Sequence, residues 1–464
     1  MKPLAVLLLG FILRVAIILV YPVTWGGDTI IRLFDRFKLV NGHQLPLLQV
    51  LIAAVSHVSM NPLLVQFLMA VIGAIAGLGF YFLAADFCGE AWAFAAALLF
   101  VSHPYILAVS TVPFQEILAL AGLIFAFHFF YTDRFVAASL CLAIACLTRF
   151  EAWAACPVLA LAYFFRKDRR FVGAIKAALL FGWMPAAWIL WHLGLTPVGT
   201  FAVETFGSIW RLQRFLYLAW ITTKFTQFPV LLLAVAGAWR MLKDRSSLDW
   251  RIWVAIGFLA TFLIAIPFSA HGVMPDPERY VTSREAHFVM FFILLLASIE
   301  LPSWGRWAPA AVALSVILGV AEAFWYVQGQ VYQPEVQAAW HVARFLDQSV
   351  RPGQRVLLLT GPIDPAAAQM YLDKALKTGG EEGLRQARFA LQEVAPTPPD
   401  YQRTVVYSRL PRDLLLAAPV GCAEWVAVWS DNPDAERELA SGDPVKVIQS
   451  GPKSVAILRR SCKP

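Results

Sequence analysis

At 464 residues, 59% hydrophobic and 15% charged, with a mean hydropathy of +0.63, the chain is far from a soluble globular composition, which is nearer half apolar and a quarter charged. Apolar runs long enough to span a bilayer, roughly 20 residues each, recur through its first three quarters. The net charge of +7 comes from cationic residues gathered in loops beside those runs. It forms no basic stripe interleaved with aromatics of the kind that grips nucleic acid. The composition describes a polytopic membrane protein and argues against a nucleic-acid partner.

The first apolar run, residues 3–21, carries Arg14 in its middle and has no small-residue cleavage site before Trp25. It therefore reads as a retained first helix and not as a removed signal segment. Next comes Trp25-Gly26-Gly27-Asp28-Thr29-Ile30-Ile31-Arg32-Leu33-Phe34-Asp35-Arg36-Phe37-Lys38. At helical spacing Asp28, Arg32 and Asp35 share one face, and Ile30, Leu33, Phe34 and Phe37 share another. That pattern predicts a helix lying in the membrane interface, its polar face turned toward a ligand. Leu45-Pro46-Leu47-Leu48-Gln49 opens a shorter apolar stretch, 45–58, read as a second juxtamembrane helix.

Further spans are expected at 62–85, 92–110, 115–131, 135–148, 151–165, 172–193, 226–241, 252–268, 286–301 and 307–327, about eleven with the first. The densest basic loops, Arg166-Lys167-Asp168-Arg169-Arg170 and Arg240 to Arg245, read as cytoplasmic. Threading the spans from them puts the N-terminus and Arg134 inside. The loops at 22–45, 111–116, 149–151, 194–225 and 269–285 then lie outside, with the tail after 328. Roughly twelve basic residues fall inside against about nine in the outer loops, a weak bias for the positive-inside rule. An anionic substrate bound at the outer face would account for the excess, which includes Arg32, Arg36, Arg149, Arg211, Arg214, Arg279 and Arg284.

Spans 135–148 and 151–165 are both short, so they form a hairpin whose tip, Thr148-Arg149-Phe150-Glu151, barely reaches the outer interface. Charges at that depth face a cavity or a partner. Either Arg149 and Glu151 pair with each other, or Arg149 meets a phosphate.

From about Gln333 the spans stop and Pro, Gln, Asp and Arg rise. Helical periodicity runs from Pro334 to Val350 and again near 364–376 and 381–393. Strands are expected at 355–360, 403–408, 423–429 and 454–459. Residues 331–464 thus read as a soluble α/β domain after a membrane domain, 1–330. Cys88, Cys141, Cys146 and Cys156 lie in or near apolar segments and read as small buried hydrophobes. Cys422 and Cys462 are a natural disulfide pair if the tail is extracytoplasmic.

The outer loops collect acids and bases: Asp28, Asp35, Glu116, Arg149 and Glu151, and in 269–285 His271, Asp276, Glu278, Arg279, Tyr280 and Arg284. A carboxylate within hydrogen-bond reach can take a proton from a hydroxyl, and forked guanidinium donors suit a phosphate. Plainer roles compete. Asp28 can cap the juxtamembrane helix, Asp35 can pair with Arg32 or Arg36, and Glu116 can sit at a helix N-terminus as an interfacial acid. Arg149 with Glu151 can be a structural ion pair, and Arg279 with Tyr280 an interface anchor. His271 and His287 lack the spacing of metal ligands.

Several of these segments, in their order, resemble the GT-C superfamily of integral-membrane glycosyltransferases, in particular the branch of protein O-mannosyltransferases and lipid A aminoarabinose transferases. The matches are Gly26-Gly27-Asp28 after the first span, and Leu45-Pro46-Leu47-Leu48-Gln49. They continue with Ser102-His103-Pro104-Tyr105 followed by Ser110-Thr111-Val112-Pro113-Phe114-Gln115-Glu116, then Leu147-Thr148-Arg149-Phe150-Glu151-Ala152-Trp153, then Pro277-Glu278-Arg279-Tyr280. They cover roughly residues 1–327. Thr29 stands where the family usually has a second acid, and the extra cationic motif of the aminoarabinose branch is missing.

The resemblance implies a GT-C-like fold and transfer of a sugar, with mannose a candidate, from a polyprenyl-phosphate donor to an acceptor hydroxyl at the extracytoplasmic face with inversion. It implies catalytic roles for Asp28, the general base, and Glu116. Arg32, Arg149, Glu151, Arg279 and Tyr280 would bind substrate. No cofactor is required, and a divalent metal is allowed. The acceptor is a protein, lipid or glycan, and the setting is a bacterial or archaeal plasma membrane with the C-terminal domain extracytoplasmic. The rival readings are a transporter or flippase of a lipid-linked or anionic solute, and a membrane anchor presenting the tail as a binding module.

Overall fold

The computed structural model describes residues 1–22, 32, 45–59, 62–167, 169–195, 212–243, 250–265, 286–332, 341–342, 345, 349, 355–359, 404–408, 425–430, 439–440, 443–450 and 453–459. Apart from Arg32, the helix expected over 25–38 lies outside them, as do His271, Arg279, Tyr280, Cys422, Cys462 and the helices expected at 364–376 and 381–393. By internal contacts the chain divides into two units. The first comprises Met1–Pro22, Arg36–Ser59 and Leu63–Val327; the second comprises Val23–Asp35, Met60–Pro62 and Gln328–Pro464.

The first unit is helical. It opens with α1 (Lys2–Val20), which has Pro3 in its first turn, where a missing N–H costs nothing. The juxtamembrane stretch is α2 (Leu47–Val58), and α3 is Pro62–Cys88. The span expected at 92–110 is two helices, α4 (Glu90–Val101) and α5 (Pro104–Val109). Pro104 cannot continue the hydrogen-bond ladder of α4 and starts a helix of its own. Then follow α6 (Gln115–Tyr131), α7 (Phe135–Cys146), a 3-10 turn (Phe150–Ala154), α8 (Ala155–Lys167) and α9 (Phe171–Leu195).

Part of the stretch expected as a loop at 194–225 is helical, α10 (Leu212–Phe225). It meets α11 (Phe228–Lys243) at a bend of 120° across Thr226 and Gln227. Pro229, at the second position of α11, lacks the N–H that a continuous helix would use. The unit closes with α12 (Trp250–Ala265), α13 (Ala286–Glu300), a 3-10 segment (Leu301–Trp307) and α14 (Ala308–Val331).

These helices are built for lipid. On α1, Val6, Gly10, Arg14, Ile17 and Ile18 face inward, while Leu4, Leu8, Ile12 and Leu19 are half or more exposed. Exposed leucines and isoleucines also recur on α7, α8, α9, α11 and α14. In water such a belt would be a large aggregation-prone patch; against acyl chains it is the solvated face. The chain is an integral membrane protein. Among the described residues four helical stretches are long and apolar enough to cross a bilayer alone, or five with the bent α10–α11 pair, and shorter apolar helices lie between them.

Inside, rings interlock. Phe80 stacks on Phe100, and Phe127 meets Phe258 edge-on and stacks on Phe291. A charge is buried here too. Arg14 Nε donates to Ser110 Oγ at 2.6 Å and Nη1 to the Gly10 carbonyl at 2.8 Å. Gly73 on α3 leaves the space for it, since a Cβ there would lie 2.1 Å from Nε.

In the second unit the described strands, β1 (Arg355–Leu359), β2 (Thr404–Ser408), β3 (Trp425–Trp429), β4 (Lys446–Ser450) and β5 (Lys453–Arg459), form one mixed sheet in the order β2-β1-β3-β5-β4. β1 pairs in parallel with β2 and β3, whereas β5 runs antiparallel to β3 and β4. β3 is buried along its whole length, as a strand covered on both faces should be. Four strands match the expected positions within two residues at each end, and β4 is additional.

Helices α6 and α7 carry the loops that matter below, and they pack closely. At Gly122 a Cβ would lie 2.8 Å from the Cys141 carbonyl oxygen and 2.9 Å from the Ala145 nitrogen, both backbone atoms that cannot swing aside. Gly122→Ala is therefore expected to force the helices apart and to cost about 1–3 kcal/mol, the usual range for overpacking. The measurement is thermal or denaturant unfolding in detergent; an unchanged midpoint would contradict the close approach.

Candidate functional site

Residues 110–114 turn the chain from α5 into α6. Ser110 Oγ donates to the Ile106 carbonyl and Thr111 Oγ1 to that of Ala108, both at 2.7 Å, so the turn satisfies its own hydroxyls. Phe114 is extended and α6 begins at Gln115, which puts Glu116 in its first turn, where the helix dipole favours a carboxylate. Its side chain is only 1% exposed.

Further along the chain α7 ends at Cys146. Thr148 N and Arg149 N both donate to the Ala145 carbonyl, Thr148 Oγ1 donates back to Ile144, and the chain extends at Arg149 before the 3-10 turn. This backbone course aims Arg149 at two carboxylates. Nη1 donates to Glu116 Oε1 at 3.0 Å. Nε donates to Glu151 Oε2 at 2.9 Å, and Nη2 donates to Glu151 Oε1. The pairing with Glu151 is the two-pronged geometry for which a guanidinium is suited.

The juxtamembrane helix joins the same place, because Leu47 N, in the Leu45-Pro46-Leu47 motif, donates to the Leu147 carbonyl at 3.2 Å. His287, in the first turn of α13, is buried and close enough for its charge to act on Glu151. Burial alone would raise the Glu151 carboxyl. The Arg149 charge and its hydrogen bonds, with a smaller contribution from His287, outweigh burial and hold it below the ordinary carboxylate range.

The structure thus brings together Glu116, Arg149 and Glu151 of the residues singled out by sequence, in one cluster. Arg32 is buried and belongs to the second unit. Asp28, Arg279 and Tyr280 lie outside the described residues. Sequence reasoning missed the link from Leu47 to Leu147, the nearness of His287 to Glu151, and the Arg14–Ser110 bond behind the turn. Only the last left a trace, an arginine in the middle of an apolar span.

Two carboxylates invite the question of a divalent cation. Both already hold Arg149, and among the described residues no group of three or more His, Cys, Asp and Glu side chains is placed to hold a metal ion. A cation shared by Glu116 and Glu151 would have to displace the guanidinium between them, so the described side chains do not fit one.

Removing Arg149 would take from Glu116 and Glu151 the cation that both of them hold. Arg149→Met is expected to cost about 3–5 kcal/mol and Arg149→Met with Glu116→Gln and Glu151→Gln distinctly less, measured by unfolding. Equal losses would mean that the cluster is not electrostatically coupled. The depressed Glu151 value sets a pH window with a definite sign. Its contribution is complete above the unfolded value, about 4.3, and is lost as pH falls through the lower folded value. The stability gap between wild type and Glu151→Gln should shrink as pH falls below about 4. A gap that widens on acidification would refute the assignment.

No family model matches the chain, and no curated protein matches it in sequence. Solved structures do. The chain is similar to the crystal structure of ArnT, the aminoarabinose transferase, from Cupriavidus metallidurans bound to undecaprenyl phosphate, with a TM-score of 0.62 at 12% identity over 98% of this chain and 96% of that one. The same protein in the apo state gives 0.54 at 13% identity over 94% of each. The Archaeoglobus fulgidus oligosaccharyltransferase in complex with Zn and sulfate gives 0.46 at 13% identity, over 91% of this chain and 67% of that one. At these identities the likeness is one of fold: the chain has the fold of ArnT, a fold of the kind that the resemblance in its sequence implied.

Proposed function

We propose that the chain is a glycosyltransferase that moves one sugar from a polyprenyl-phosphate donor to an acceptor hydroxyl at the extracytoplasmic face of a bacterial or archaeal plasma membrane. The observation that carries the reading is the Glu116–Arg149–Glu151 cluster, assembled from a helix start and a hairpin tip beside the juxtamembrane helix, in a chain with the GT-C fold. ArnT, similar over nearly its whole length, has been crystallised with undecaprenyl phosphate, which supports a lipid-phosphate donor here.

In this reading the acceptor oxygen attacks the anomeric carbon as the bond to the donor phosphate breaks, with inversion. Asp28 takes the acceptor proton, and the phosphate departs as an anion met by Arg279 and Tyr280, with Arg32 as a further cation. Arg149 reaches the phosphate only if one of its carboxylate pairs opens. With the pairs closed, it holds Glu116 and Glu151 in place for the acceptor side. The sugar is a hexose, mannose being one candidate, and residues 331–464 form an extracytoplasmic α/β domain that helps recognise the acceptor.

The test is transfer by purified protein in liposomes containing a polyprenyl-phosphate-linked sugar. Asp28→Asn is expected to lower turnover about 100-fold or more, the usual worth of a positioned base, with the unfolding midpoint unchanged. Undiminished turnover in that variant would overturn the assignment of Asp28, and absence of transfer with any such donor would overturn the function.

A further inference from the structure

Cys146 is the last residue of α7 and Cys156 the second residue of α8, so the two flank the tip that carries Thr148, Arg149 and Glu151. Both are buried free thiols, and their sulfurs lie 3.6 Å apart although ten residues separate them in sequence. The backbone between them is already drawn closed: Thr148 N and Arg149 N return to the Ala145 carbonyl, and Trp153 Nε1 donates to the Cys146 carbonyl at 3.0 Å. Cys88 is different in kind, its thiol donating to the Ala84 carbonyl at 3.2 Å as helix-borne cysteines commonly do. A disulfide is about 2.05 Å long, so the sulfurs need an approach of about 1.5 Å, within reach of side-chain torsion and a small shift at the helix ends.

We propose that Cys146 and Cys156 close into a disulfide that brackets the Arg149 turn. The chemistry is thiol–disulfide exchange with a disulfide-donating oxidoreductase while the hairpin is still folding and the sulfurs are accessible. The Cys146 thiolate attacks the donor disulfide, and one donor sulfur leaves as a thiol. Cys156, having lost its proton, attacks Cys146 Sγ in the mixed disulfide, and the second donor sulfur leaves. The chain loses two hydrogens, and the donor gains two electrons and two protons. The expected placement of the tip at the outer face puts it where such donors act. The bond ties the end of α7 to the start of α8, the two points from which Arg149 is aimed at Glu116 and Glu151. The inference stands apart from the proposed function, because it concerns a covalent bond that can be weighed without an activity assay.

Cleavage after arginine makes the test direct. It parts residues 135–149, which hold Cys141 and Cys146, from residues 150–166, which hold Cys156. Cells are broken in denaturant with a maleimide that caps every free thiol, and the chain is digested without reductant and weighed. The expected product is the two peptides joined, two hydrogens lighter than their sum and with one maleimide, on Cys141. Cys141→Ser should keep the link and Cys146→Ser should abolish it. Maleimide on both Cys146 and Cys156 of the wild type overturns the proposal, as does a link that survives Cys146→Ser. The bracing role has its own readout: reductant should lower the unfolding midpoint of the wild type by several degrees and leave that of a Cys146→Ser, Cys156→Ser variant unmoved. A linked wild type whose midpoint ignores reductant would show that the bond forms without bracing the turn.

Discussion

The guanidinium of Arg149 is the constraint on which this end of the helical unit depends. It occupies a site between two carboxylates, Glu116, which is almost wholly withdrawn from solvent, and Glu151, which is partly so. A buried acid without a partner costs several kcal/mol, and Arg149, lying between the two carboxylates, offsets that cost for both. That pairing draws on three things together: the first turn of α6, the extended residue before the 3-10 turn, and the close approach of α6 to α7 that Gly122 permits. The juxtamembrane helix is bound to the same arrangement through Leu47 N and the Leu147 carbonyl. One side chain thereby joins the start of α6 to the 3-10 turn after α7.

A second buried charge works behind it. Arg14 reaches across from α1 to Ser110, in the turn that delivers Glu116, and Gly73 leaves the room for it. A guanidinium inside a membrane span is costly and is kept where it is used. Here it ties the first helix to the turn that leads into Glu116. Three of the regions noted from sequence are thus cross-linked by arginines and not by apolar packing alone, which slides more easily than a directed, charge-assisted hydrogen bond.

What could be read from sequence follows the same physics. Hydropathy located most helices within a few residues because burial in lipid demands apolar length, as at 115–131 and 286–301. It failed where polarity and helicity part company. Residues 212–225 carry Gln213, Arg214, Thr222, Thr223 and Lys224 and read as loop, yet they are α10. It failed again at Pro104, where an unbroken apolar run conceals a break in hydrogen bonding. β4, with Lys446, Gln449 and Ser450, is a sheet-edge strand whose polar residues hid it. Glu116, Arg149 and Glu151 were legible as charges at span ends. That Arg149 would take up both carboxylates was not, because it depends on how α6 and α7 meet. Cys146 and Cys156 were passed over for a related reason. The 3-10 turn between them changes the helical phase, so spacing along the chain does not report their contact.

The charge balance of the cluster bears on how the proposed chemistry would be divided. Among the described residues one guanidinium lies between two carboxylates, so Arg149 is engaged by them and is not open to a phosphate. A departing phosphate is better met by cations outside the cluster. The two carboxylates also differ. Glu151 takes two donors of the guanidinium fork and is held below its usual range, whereas Glu116 takes a single donor of that fork and lies deeper, at a helix start. Groups of one chemical type placed in unequal surroundings are suited to unequal tasks. Under the proposed function Glu151 anchors Arg149, and Glu116 is the carboxylate better placed to help orient an acceptor hydroxyl while the base removes its proton. Both acids sit beside regular helices and are held by directed bonds, so little reorganisation is left for the moment of reaction.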